Sequence, residues 1–200
     1  MIYQAHRTVG ELIALAKEDL AFTSLPRESA FYDSLNDTLT RLYREVICEK
    51  LRCPLQVENG VAATENLTLP NEYAPVCGED ISAVWNGDRQ LRFLPYTLLS
   101  LGGTGYYTVY ENQIILGDDK TGYALDVDII LRPARLSEET KDMAVPFPDE
   151  FLSLLLCRLR GDICRLAGED AEATKWLGEY NRLLEEFCLF IKASRERRKG

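Results

Sequence analysis

Apolar side chains recur at intervals of three and four at both ends of this chain, and at intervals of two in its middle. Near the start, Val9, Leu12, Ile13, Ala16 and Leu20 keep helical spacing. Thr8 and Glu11 stand ahead of them with the S/T-x-x-E spacing of a capping box, in which each side chain accepts from the other residue's backbone N–H. Pro26 suits the first turn of a second helix. In that helix Phe31, Leu35, Leu39, Leu42, Tyr43, Val46 and Ile47 form one apolar stripe over about five turns. Cys53-Pro54 ends it, because the residue before a proline avoids the helical region. The spacing thus predicts an N-terminal helical segment over residues 1–53.

Residues 54–136 change period. Gly, Asn, Asp and Pro punctuate short runs rich in Val, Ile, Tyr and Thr, which is the pattern of strands and turns. Ile81 to Trp85, then Asn86-Gly87, then Gln90 to Phe93 reads as a hairpin. Tyr106 to Tyr110, Glu111-Asn112 and Gln113 to Leu116 read as another. Leu125, Val127, Ile129 and Leu131 alternate with Ala124, Asp126, Asp128 and Ile130, predicting a strand with one buried and one mostly polar face.

Residues 137–200 return to helical spacing. Pro146-Phe147-Pro148-Asp149 is a stop followed by a cap, and Phe151, Leu152, Leu155, Leu156, Leu159, Ile163 and Leu166 make the next stripe. Gly168 is placed to terminate it. A last helix carries Ala173, Trp176, Leu177, Tyr180, Leu183, Leu184, Phe187 and Ile191, and so short a loop pairs the two as an antiparallel hairpin. The expected class is α+β: N-terminal helices, a small central antiparallel β domain of hairpins (54–136) and a C-terminal helix pair (137–200), together one structural unit.

Charge narrows the function. The 200 residues carry 23 Lys and Arg against 32 Asp and Glu, a net of −9. A surface this acidic repels phosphate, which disfavours a dedicated nucleic-acid-binding module and an anionic membrane. No apolar run approaches the roughly 20 residues of a spanning helix, and no basic-then-apolar signal opens the chain, so a soluble protein made in a cytosol is expected. The sole histidine, His6, leaves little material for His-based metal or nucleophile chemistry. The six cysteines, Cys48, Cys53, Cys77, Cys157, Cys164 and Cys188, read as reduced thiols, the last three as small apolar packing.

Candidate chemistry is sparse. Gly102-Gly103-Thr104-Gly105 leads into a strand-like run and lacks the Lys and helix of a phosphate loop, so it reads as a connection. Gly117 to Gly122 holds two carboxylates without the ligand spacing of a calcium loop, and reads as a hairpin turn. Asp126 and Asp128 share a strand face, with a solvated or partner-facing surface as the expectation. Lys192, Arg195, Arg197, Arg198 and Lys199 face one Glu196 in a basic tail, which is either a solvated helix end or a dock for an acidic partner. The residues point to no catalytic group, cofactor or metal, and to an interaction protein.

The ordered motifs resemble the head–tail connector (adaptor, head-completion) proteins of tailed bacteriophages and prophages. The resemblance runs from Leu35-x-x-x-Leu39-x-x-Leu42-Tyr43 through Leu67-Thr68-Leu69-Pro70-x-x-Tyr73 and Val84-Trp85-Asn86-Gly87-x-x-x-Leu91. It continues in Tyr96-x-Leu98-Leu99, Tyr106-Tyr107-x-x-Tyr110, Ile114-Ile115-Leu116 and Arg132-Pro133-x-x-Leu136-Ser137, and ends in Val145-Pro146-x-x-x-x-Phe151-x-x-Leu154-Leu155. It implies a non-enzymatic structural protein of the virion, synthesised in the bacterial host cytoplasm. Copies would form a homo-oligomeric ring below the portal protein, extend the DNA channel, and dock tail proteins without binding DNA specifically or touching a membrane. It also implies that the basic tail, Lys192 to Lys199, engages the portal. Within such a ring the face bearing Asp126 and Asp128 is expected at the lumen, where acid repels sliding DNA, or at a subunit contact. A tail-tube or terminator component, a cellular β-sandwich binding module and an enzyme are the competing readings.

Overall fold

The computed structural model describes residues 7–18, 20, 26–117 and 123–197. They fall into two compact units: 1–42 with 135–200, which is helical, and 43–134, which holds the strands. The class is α+β.

In the helical unit, α1 (Val9–Glu18) begins with the expected capping box. The Thr8 N–H donates to Glu11 Oε2 at 2.9 Å and the Glu11 N–H to Thr8 Oγ1 at 3.2 Å. Two further amides of the first turn would lack partners in an isolated helix. Here the Val9 and Gly10 N–H groups donate to the Met143 and Lys141 carbonyls at 3.0 and 2.8 Å. Helix α2 (Glu28–Leu42) buries Phe31, Leu35, Leu39 and Leu42 along one stripe. Pro26 lies two residues ahead of its first residue rather than within its first turn.

Helix α3 (Leu152–Leu166), preceded by a 3-10 turn at Asp149–Phe151, packs against α1, α2 and α4 (Asp170–Arg197). That central position explains why its buried residues spread beyond a single stripe, from Leu152 and Leu154 to Gly161 and Cys164. At Gly161 a Cβ would stand 2.7 Å from both Cγ and Cδ2 of Leu177, so the absent side chain is what lets α4 approach. The α3–α4 turn is a Schellman motif. Gly168 takes φ +80°, its N–H donates to the Arg165 carbonyl at 3.1 Å, and the Glu169 N–H donates to Cys164 at 2.9 Å. Two expectations fail here. Leu166, assigned to the buried stripe, is 65% exposed because it points out at this turn. Cys188, read with Cys157 and Cys164 as small apolar packing, is exposed, while those two are buried and burial pushes their thiols up.

The strand unit begins earlier than expected. The apolar stripe of α2 stops at Leu42, a π-helical turn covers Tyr43–Ile47, and Cys48 turns the chain at φ +42°. Strand β1 (Lys50–Val57) then runs through Cys53-Pro54, so residues 1–53 are not all helical. The reason is visible in Cys53, Leu55 and Val57, whose spacing of two serves a core. Pro54 is tolerated because β1 is an edge strand.

The other strands are β2 (Val61–Ala63), β3 (Ile81–Asn86), β4 (Arg89–Gln90), β5 (Arg92–Phe93), β6 (Tyr106–Tyr110), β7 (Gln113–Leu116) and β8 (Tyr123–Ile130). They form two sheets ordered β1-β8-β3-β4 and β2-β7-β6-β5. Leu55, Val84, Leu125, Val127 and Ile129 of the first meet Ala62, Tyr107, Ile114 and Leu116 of the second in one core. The β6–β7 hairpin forms as expected, with positive φ at both turn residues, Glu111 and Asn112. The first expected hairpin is corrected. Asn86 pairs with Arg89, so the turn is Gly87-Asp88, and Arg92-Phe93 leaves for the other sheet to lie parallel to Tyr106-Tyr107.

Candidate interaction surfaces

A buried charge cluster lies where the chain enters and leaves the strand unit. Asp80 is buried at 1% exposure. Arg132, just beyond β8, donates through Nε to Asp80 Oδ1 at 2.6 Å and through Nη2 to Oδ2 at 2.7 Å. Arg44, in the π turn, donates through Nε at 2.9 Å and also pairs with Glu79. The Cys77 N–H and thiol add bonds at 3.0 and 3.1 Å. Burial alone would raise the Asp80 carboxyl, and it is the largest single influence. The bonds from Arg132 and Cys77, with the charge of Arg132, outweigh it and hold the carboxyl below the ordinary carboxylate range. Sequence reading missed this group, because its members stand 36 and 52 positions apart and carry no motif.

Asp126 and Asp128 do share one face of β8, and both are half-buried. Their environments differ. Arg52 on β1 grips Asp128 with two bonds of 2.6 and 3.1 Å, the Trp85 indole N–H donates at 2.9 Å, and Arg52 lies 4.6 Å from the Trp85 ring. The bond from Arg52 lowers the Asp128 carboxyl, burial opposes it, and Trp85 lowers it further. The face is therefore a guanidinium–carboxylate–indole arrangement beside Asp126 rather than a pair of solvated acids.

A different surface stands out between β5 and β6. Residues 93–110 contain no Asp, Glu, Lys, Arg or His, in a chain that is 28% charged. Phe93, Tyr96, Leu98, Leu101 and Tyr110 are nonetheless exposed. Pro95 leads into a 3-10 turn at Tyr96–Leu98 and one helical turn at Leu99–Gly102. The Tyr96 and Tyr110 rings stack at 4.8 Å, and Phe93 meets Tyr107 edge-on at 5.7 Å. The glycine cluster that follows is a connection, as expected. A Cβ on Gly117 would stand 2.2 Å from the Gly103 carbonyl oxygen, so the loop is packed closely and not open around a phosphate. The signal that marks this surface, a long run without charge, was present in the sequence.

The basic tail continues α4. Lys192, Arg195 and Arg197 are helical and exposed, whereas Arg198 and Lys199 lie outside the described residues. Leu189 and Phe190 stand exposed just before them. Phe190 rests on Phe151 at 5.0 Å, and Phe151 on the buried Phe187 at 4.9 Å. His6 and most of the Gly117–Gly122 turn also fall outside the described residues.

Among the described residues, no group of three or more His, Cys, Asp or Glu is arranged to hold a metal ion, and no helix is long and apolar enough to cross a membrane. A family model described as "SU10 adaptor protein" matches residues 7–200. No curated protein matches the chain.

Proposed function

Since this chain belongs to the SU10 adaptor protein family, and is thereby a phage adaptor and a virion component, we propose that it is a non-enzymatic ring subunit at the head–tail junction. The ring sits below the portal, extends the DNA channel and presents a docking surface for tail proteins. The observation that carries this is the extent of the family match, which covers residues 7–200 and so takes in residues of both units.

Three surfaces support the reading. The tail, with Lys192, Arg195 and Arg197 exposed on α4 and Arg198 and Lys199 beyond, offers cations to an acidic portal surface. On this reading the β8 face with Asp126 and Asp128 would line the lumen or a subunit contact. Its carboxylates are partly balanced by Arg52, so it offers DNA no array of cations to grip. The uncharged surface at 93–110 has the composition of a protein interface core, where charge is depleted and aromatic residues are enriched.

Electron microscopy of the full chain mixed with its cognate portal tests the assignment. A ring of this protein below the portal is expected. Portal particles that carry none of it, under conditions where the same portal takes another adaptor, overturn the reading.

A further inference from the structure

We propose that Asn86 is a site of spontaneous covalent modification: its side-chain amide condenses with the backbone nitrogen of Gly87, and water opens the ring to leave aspartate or isoaspartate at the tip of the β3–β4 hairpin.

Asn-Gly occurs at Asn59-Gly60 and at Asn86-Gly87. In such a pair the glycine nitrogen attacks the asparagine Cγ and a C–N bond forms. The bond from Cγ to the side-chain nitrogen breaks, and that nitrogen leaves as ammonia with the glycine amide proton. Water then adds to either carbonyl of the resulting imide, and the ring C–N bond at that carbonyl breaks. One opening restores the ordinary backbone as aspartate; the other routes the backbone through the side chain as isoaspartate. A Cβ on the second residue obstructs the attack, and glycine has none. The peptide between the two residues must swing towards the side chain, so the rate follows how freely the turn opens.

The two pairs differ in how tightly they are held. Glu58 and Val61, which flank Asn59-Gly60, bond to each other in both directions at 2.8 and 2.9 Å. Gly60 is buried, and its carbonyl accepts from the Leu116 N–H at 2.8 Å. At the other turn every residue from Asn86 to Gln90 is exposed, and a Cβ on Gly87 would meet nothing within 4 Å. The Leu91 N–H donates to the Val84 carbonyl at 2.8 Å, so the alternation of an antiparallel ladder makes Asn86 and Arg89 the next bonded pair. That pair is the last before the turn, and β4 is an edge strand of two residues. Pairing of β3 with β8 has already ended at Trp85 and Asp126. Opening the tip therefore frees the Asn86–Gly87 peptide without uncovering the core.

The two products act differently on the hairpin. Aspartate puts a carboxylate directly across from Arg89, an opposite-charge pair on the ladder. Isoaspartate adds a backbone carbon beside a two-residue turn, which shifts the strands out of register.

The test ages the full chain at neutral pH, folded and in denaturant, and maps aspartate and isoaspartate by peptide mass spectrometry and by enzymatic methylation of isoaspartate. Each folded-state rate is divided by the rate of the same pair in denaturant, which removes the effect of neighbouring sequence. The quotient at Asn86 is expected to exceed that at Asn59 about tenfold or more, since each falls with the free energy of opening its turn. Asn86→Gln, whose longer side chain would have to close a larger ring, is expected to abolish most of the acidic form that accumulates in the folded parent. Equal quotients, a larger one at Asn59, no conversion at Asn86 in the folded chain, or an undiminished acidic form in Asn86→Gln overturns the proposal.

Discussion

Asp80 takes bonds from Arg44, Arg132 and Cys77 at once. Asp80→Asn leaves Arg44 and Arg132 facing a neutral amide, and breaking such a buried pair is expected to cost on the order of 3 kcal/mol, read as a lower denaturant midpoint. The pH dependence has a definite sign. The folded carboxyl titrates below its ordinary value, so its stabilisation is complete above the unfolded value, near 3.9, and is lost as pH falls through the lower folded value. The gap between parent and variant in denaturation experiments should therefore be full at neutral pH and shrink on acidification. A gap that is constant down to strong acid would show that Asp80 acts by shape alone. Individual residues are also where sequence reading was weakest. The capping pair Thr8 and Glu11 is local and legible, whereas Asp80 finds its partners only after the strands have brought distant positions together.

Helices and strands were more legible, because their periods are written in the side chains that face the core. Strand β8 and the β6–β7 hairpin could be read from alternation and from a two-residue turn. The arrival of β1 at Lys50 was obscured, since Val46 and Ile47 prolong the α2 spacing almost to its start and its proline imitates a stop. The departure of Arg92-Phe93 to the other sheet was not legible at all, because periodicity gives a strand's faces but not its neighbours. Contact between α3 and α4 makes a sharp prediction. Gly161→Ala gains about 1 kcal/mol of helix propensity but forces a methyl group against Leu177, where overpacking costs roughly 1–3 kcal/mol. The single variant should be neutral to destabilised. In the background of Leu177→Ala the same change should stabilise. Thermal melts of the four proteins measure the coupling, and simple additivity would mean that the helices do not touch there.

For the whole molecule, the distribution of charge separates stability from binding. Lys192 to Gly200 hold five basic residues against one acid on a chain of −9. Those described are exposed beyond the Phe151–Phe187–Phe190 contacts that secure α4. Truncation after Ile191 should therefore leave the melting temperature nearly unchanged. Portal binding should weaken and lose part of its salt dependence, since charge pairs are removed. Titrations at two ionic strengths decide it: equal affinity of the truncated and full chains at low salt would reduce the tail to a solvated helix end. The double change of Asp126 and Asp128 to Lys probes the β8 face. Asp128 holds Arg52 and Trp85, so its replacement should also lower the melting temperature, whereas Asp126→Lys alone tests DNA passage more cleanly through the infectivity of the particles.

The ends of the strand unit are neighbours. Lys50 faces Ile130 across paired strands, the Leu131 N–H donates to the Glu49 carbonyl at 2.8 Å, and Asp80 ties Arg44 to Arg132. Within the helical unit, the Asn36 side chain holds both backbone groups of Leu136 at 2.9 and 2.8 Å, close to where the chain departs and returns. In chain order, then, 43–134 is a guest inserted into a host. A guest of this kind can be exchanged without rethreading the host. Replacing 43–134 by a short Gly-Ser linker should leave a helical protein that melts cooperatively, and the excised segment should keep its strand signature in circular dichroism. On that footing, the surface of such a particle component can diversify by substitution of the guest alone, while the helices that receive it stay the same.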